Sequence, residues 1–237
     1  MSLTGESTTP HKSMKVSYTS KKVVAFSLYG SRPMYWLGLL NNIRVLPTVM
    51  PGWTPMVYIE EDHFLIPILL DLGVDYEICP NDLGGTFGST WRFYALARPD
   101  FDYVVCRDTD SLITSRDAWA VSQWVKSGKP IHVIRDFPTK FPVCAGCFGA
   151  KGGMFPTIQQ DIHAFITNHG TAYTCDEAFL REYIWERYKD SCLIHGDGGI
   201  PFPSSLPRTI YFTGFKLNPH LLDVFNWNPY MEEAVCL

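Results

Sequence analysis

The chain has 237 residues, 46% of them hydrophobic and 19% charged, with 20 Lys and Arg against 24 Asp and Glu. This composition supports one large packed core and excludes global disorder, and a net charge of −4 supplies no general positive field for a nucleic-acid backbone. No apolar stretch reaches the roughly 18 uninterrupted residues that a membrane span needs, so the chain reads as soluble and cytoplasmic, with no nucleic-acid partner. Residues 1–15, polar and without periodicity, read as a disordered tail or expression-tag remnant, and 16–237 as a single domain. The seven Cys, an odd number set mostly inside apolar runs, read as reduced, buried thiols.

In chain order, residues 23–28 form a β-rich run that breaks at Gly30, and Trp36, Leu39, Leu40 and Ile43 follow at helical spacing between Pro33 and Pro47. Residues 56–59 predict a second strand, 63–72 a helix closed by Gly73, and 74–79 a third strand. A loop over 84–88 leads to a helix over 89–97, a strand over 103–107, a helix over 115–126 and a strand over 131–135. Beyond Asp136 the pattern loosens into Pro- and Gly-rich chain, two helices (158–168 and 176–188) and short strand-like runs near Leu193 and Tyr211. Strands alternating with helices imply an α/β fold with a mostly parallel sheet flanked by helices, in which ligands bind beyond the carboxyl ends of the strands.

Charge appears at those ends: Glu60 and Glu61, Asp108 and Asp110, and Arg135 and Asp136 each follow directly on an apolar strand. The sharpest case is Arg107-Asp108-Thr109-Asp110-Ser111, because residues i and i+2 of an extended chain project to the same side. Two convergent carboxylates repel unless they share a proton or a cation, and their hard oxygens suit Mg²⁺ or Mn²⁺, ions that also bridge phosphate oxygens. A metal–diphosphate site follows, against the alternative of a solvated loop with helix-capping aspartates.

In this context the sequence resembles the nucleotide-sugar-dependent glycosyltransferases of the GT-A fold, particularly small single-domain bacterial and viral members. The resemblance rests on ordered landmarks: Ser27-Leu28-Tyr29-Gly30, Trp91-Arg92-Phe93, Asp108-Thr109-Asp110, Ile134-Arg135-Asp136, Ala145-Gly146-Cys147, Asp176-Glu177 and Ile194-His195. It implies a single-domain GT-A-type nucleotide-binding fold and transfer of a sugar from a nucleoside diphosphate sugar, a UDP-sugar before others, to a hydroxyl of a glycan or other acceptor. Asp108 and Asp110 would bind Mn²⁺ or Mg²⁺ together with the donor diphosphate, and His195 would be the third protein ligand. Ser27, Tyr29 and Gly30 would hold base and ribose, Arg92 the donor phosphate or sugar, and Gly146 would lay backbone against the sugar. Asp136, Asp176 and Glu177 would be the catalytic carboxylates. Two rival readings are a zinc or redox module built on Cys144-x-x-Cys147 with Cys175, Cys192 and His195, and a catalytically silent sugar-binding module.

Overall fold

A computed structural model describes residues 20–136 and 141–206. The expectations for the first 15 residues and for the run near Tyr211 fall outside them. The chain opens with β1 (Lys22–Leu28), α1 (Pro33–Val49), β2 (Trp53–Glu60), α2 (Ile66–Asp71) and β3 (Asp75–Cys79). A 3-10 helix (Phe87–Ala97) leads to β4 (Tyr103–Cys106), α3 (Ser115–Ser127) and β5 (Ile131–Arg135), and a second short 3-10 turn (Ala145–Cys147) leads to β6 (Phe148–Lys151). Then come α4 (Ile158–His169), α5 (Cys175–Phe179), a π-helical stretch (Leu180–Trp185), α6 (Glu186–Tyr188), a 3-10 turn (Lys189–Ser191) and β7 (Cys192–Gly196). Among the described residues no helix is long and apolar enough to cross a membrane.

The strands form one seven-stranded sheet in the order β3-β2-β1-β4-β6-β5-β7. β6 runs antiparallel to both neighbours, and the remaining pairs are parallel. Side chains alternate across the sheet, so each strand feeds two cores. Val23, Ala25, Tyr58, Val104 and Phe148 pack with Trp91, Phe93, Ile162 and Phe179 on one face. Val24, Phe26, Leu28, Ile59 and Val105 pack with Leu39, Leu46, Leu69 and Trp124 on the other. Buried on both faces, the central strands read as nearly continuous apolar runs, as parallel strands must.

Local chemistry sets the ends of these elements. α3 opens on a capping box between Thr114 and Asp117 and closes on Gly128. Three expectations are corrected. Pro47 does not end α1: the helix runs to Val49 because Met50 N–H still reaches the Leu46 carbonyl (2.8 Å) and both side chains are buried in one core. The expected helix over 89–97 is instead an eleven-residue 3-10 helix starting at Phe87. The expected helix over 176–188 is interrupted by the π-helical stretch, which widens the turn between α5 and α6.

Candidate functional site

Beyond the carboxyl ends of β1 and β4, the 3-10 helix and α5 bring a cluster of carboxylates around one arginine. Arg92 is 4% exposed, and its guanidinium reaches Asp108 Oδ1 through Nη1 and Asp176 Oδ2 through Nη2, each at 2.7 Å. Burial opposes its charge, but Asp108 and Asp176 hold it firmly protonated. Ser27 fixes the helix that carries it, accepting the Arg92 backbone N–H on Oγ (2.8 Å) and donating to the Ser89 carbonyl (3.3 Å). Ser27 thereby positions Arg92.

Around this fork the charges crowd. Burial, then the charge of Asp108, pushes the Asp110 carboxyl up to about 6. Burial also raises Asp176, against the pull of Arg92. Glu177 is half-buried and is pushed up to about 7 by burial and by Asp176 and Asp108, despite a hydrogen bond with Cys144. Gly146 lies so close that a Cβ there would sit 2.0 Å from Asp108 Oδ2. Only a residue without a side chain lets the 145–147 turn close against this carboxylate.

The Asp-x-Asp loop is held from behind by residues that the sequence analysis did not single out. Asn42, fully buried on α1, donates to the Thr109 (3.3 Å) and Ser111 (3.0 Å) carbonyls and accepts the Ile113 N–H (2.9 Å). On the same helix a Cβ at Gly38 would meet the Thr109 carbonyl oxygen at 2.2 Å, so α1 lays its backbone directly on the loop. Asn and Gly inside a helix are poor helix formers, and that was the available signal. Arg107 completes the clamp by donating to Asp117 on α3 (3.2 Å).

At the β1–β3 end, Gly30 N–H donates to Glu60 Oε2 (2.8 Å), His63 Nε2 donates to the Gly30 carbonyl (3.0 Å), and Asn81 donates to Glu60 Oε1 (3.1 Å). The Tyr29 ring meets Trp91 edge-on at 5.9 Å, and burial pushes its phenol up to about 12, so it stays neutral. Three strand ends are thus interlocked beside the carboxylate cluster.

Two expected site residues are held elsewhere. Asp136 presents both carboxylate oxygens to Arg116 of α3, with 2.6 Å from Nη2 to Oδ1, and Arg116 also donates to the Leu206 carbonyl and lies over Phe202. Its expected neighbour Arg135 donates to the Pro142 carbonyl (2.8 Å) and stacks over Trp185. His195 is fully buried on β7, its Nδ1 2.9 Å from His132 Nε2, against Trp119 and Phe202, and burial pulls it down to about 4. Among the described residues no three His, Cys, Asp or Glu side chains are grouped to hold a metal ion. The structure therefore assembles neither Asp108, Asp110 and His195 as a three-ligand set nor the thiols and His195 as a zinc module.

No protein-family model matches the chain, and no curated protein matches it in sequence. Solved structures do match. A glycosyltransferase involved in the glycosylation of the major capsid of PBCV-1 aligns at a TM-score of 0.50 with 11% identity, over 74% of this chain and 81% of that one. The chain shares its fold with glycosyltransferases. A second match with this fold is the apo-form glycosyltransferase GlyE of Streptococcus pneumoniae TIGR4, at a TM-score of 0.50 with 17% identity. It covers 73% of this chain and 45% of the pneumococcal one, so this chain spans less than half of that protein. In this glycosyltransferase fold the carboxylate cluster lies where open α/β sheets bind ligands, beyond the carboxyl ends of the strands.

Proposed function

We propose that the chain transfers a sugar from a nucleoside diphosphate sugar to an acceptor hydroxyl. The observation that carries this reading is the gathering of Asp108, Asp110, Asp176 and Glu177 around the single guanidinium of Arg92 at the ligand-binding end of a glycosyltransferase fold. Four acidic groups against one buried cation leave a charge deficit that a divalent ion relieves, and an all-oxygen pair suits Mn²⁺ or Mg²⁺. Asp108 and Asp110 fit that role as two ligands, and a cation there would offset the burial and the Asp108 charge that raise Asp110. Bound there, the ion supplies positive charge against the leaving diphosphate.

The remaining steps belong to side chains of this protein. Arg92 holds Asp108 and Asp176 in fixed orientation, so neither must reorganise as charge develops. Tyr29 and the interlocked Gly30 turn form the floor for base and ribose. Glu177, with a proton affinity near neutrality and a half-buried carboxyl, takes the proton of the attacking hydroxyl. Asp136 is clasped by Arg116, which also donates to the Leu206 carbonyl, and His195 serves the packing of β5 on β7.

Calorimetric titration with nucleoside diphosphates, UDP first, with and without Mn²⁺ tests the donor half of this reading. Binding that requires Mn²⁺ in the wild type and disappears in Asp110→Asn supports it. Equal binding with and without Mn²⁺, or in both proteins, removes the carboxylate pair from the donor site.

A further inference from the structure

Resting on the sugar-transfer reading, we propose that Tyr173 is a stacking platform for the acceptor, and that the acceptor is a carbohydrate. At 88% exposure Tyr173 is the most exposed of the large apolar side chains among the described residues. A single exposed ring is ordinary on a loose loop, but this loop is tied down. The Thr86 hydroxyl donates to the carbonyls of Thr171 (2.8 Å) and Ala172 (2.9 Å), and Thr86 N–H also reaches Thr171 (3.4 Å). Cys175 N–H then returns to the Ala172 carbonyl (3.0 Å), closing a turn around the tyrosine. Thr174, next in the chain, is held at φ 72°, a left-handed conformation that a β-branched residue seldom adopts. Such strain persists where the surroundings over-determine it, and it concentrates at ligand sites. The backbone is therefore fixed in a shape that holds the ring out in solvent.

Its place in the fold gives the ring a purpose. Tyr173 stands immediately before α5, which delivers Asp176 and Glu177. Asp176 and Glu177 follow it by three and four residues on the same short segment, and burial, then the charges of Glu177, Tyr35 of α1, Asp108 and Asp176, raises its phenol. A pyranose has an apolar C–H face and a rim of hydroxyls. The negative face of a tyrosine ring attracts the first, and neighbouring carboxylates accept hydrogen bonds from the second. Tyrosine also loses little conformational freedom when it orders against a ligand. A lipid acceptor would call for an apolar groove, whereas this ring is exposed and is followed in the chain by two carboxylates, Asp176 and Glu177. A sugar lying on Tyr173 would present its hydroxyl toward Glu177.

The test compares wild type, Tyr173→Phe and Tyr173→Ala with a panel of short oligosaccharides of glucose, galactose, mannose and N-acetylglucosamine. Direct glycan binding is measured by calorimetry, and acceptor KM in the presence of nucleoside diphosphate sugars and Mn²⁺. Loss of the ring should weaken binding of the preferred glycan and raise its KM about tenfold, while Tyr173→Phe keeps the wild-type values. Nucleoside diphosphate affinity, read alongside, should be alike in all three proteins. The proposal is overturned if no glycan binds the wild type, if Tyr173→Ala binds glycan as well as wild type, or if that variant loses nucleoside diphosphate affinity, which would assign the ring to the base. Glycan binding that depends on Tyr173 in a protein that turns over no donor would leave the platform standing and sink the transfer reading instead.

Discussion

Replacing Arg92 by Met removes the cation and keeps only the apolar stem of the side chain, and the structure says where the cost falls. Two carboxylates lose a partner at 2.7 Å, but they are not alike: the Asp108 side chain is 37% exposed and that of Asp176 only 11%. Water can replace the guanidinium at Asp108, so that half of the fork contributes at most about 1 kcal/mol. Asp176 cannot be rehydrated in place, and an uncompensated buried charge costs about 3–5 kcal/mol. For a domain of this size that lowers Tm by about 6–20 °C. The deficit should also depend on pH. Burial already raises Asp176 with Arg92 present, and without Arg92 its folded-state proton affinity rises further above the unfolded value. The variant is then relieved by protonation, so its deficit is largest near neutrality and shrinks as pH falls toward about 4. Denaturant unfolding of wild type, Arg92→Met and Arg92→Met/Asp176→Asn across that range measures it, with Arg92→Lys as a milder probe if the Met variant does not fold. The double variant should be more stable than Arg92→Met. A loss below about 1 kcal/mol, or one independent of pH, would refute the reasoning, since the fork would then behave as an exposed pair.

Other outcomes follow from the same geometry. Transfer to acceptor should rise with pH through about 7 as Glu177 loses its proton, and Glu177→Gln should abolish that limb while nucleoside diphosphate affinity stays constant; pH–rate profiles check it. Gly146→Ala places a methyl group 2.0 Å from Asp108 Oδ2, and a displacement on this scale should cut turnover about a hundredfold, with circular dichroism confirming an intact fold. His195→Ala leaves His132 Nε2 buried without its partner and should cost about 1–3 kcal/mol in stability, while Mn²⁺-dependent nucleotide binding is unchanged in titration.

The parallel strands were legible because their signal is local, apolar runs that stop at a charge. Asp108 and Asp110, expected to project together from an extended chain, instead lie beyond the end of β4, with Thr109 and Asp110 in a turn. β6 was missed because Phe148-Gly149-Ala150-Lys151 is short, contains Gly, and takes its place only through pairing with β4 and β5. The Asn42 clamp joins residues 67 to 71 positions apart, and the His132–His195 contact spans 63, so neither follows from periodicity. His195 looked like a ligand by residue type and order, but the aromatic side chains packed around it decide its surroundings. Asp136 sits at the strand end where it was expected, yet the guanidinium facing it comes from α3, twenty residues earlier, and not from its neighbour Arg135. Asp176 and Glu177 were placed together by sequence; what separated them was burial and the reach of Arg92, which binds the first and leaves the second near neutrality.

The most direct test of the transfer reading is release of nucleoside diphosphate from a panel of nucleoside diphosphate sugars, assayed with and without Mn²⁺ for wild type and Asp108→Asn. Wild type should release nucleoside diphosphate from at least one donor only when Mn²⁺ is present, and Asp108→Asn should not. Release by Asp108→Asn at the wild-type rate, or a wild type that neither binds nor cleaves any donor, would contradict the account.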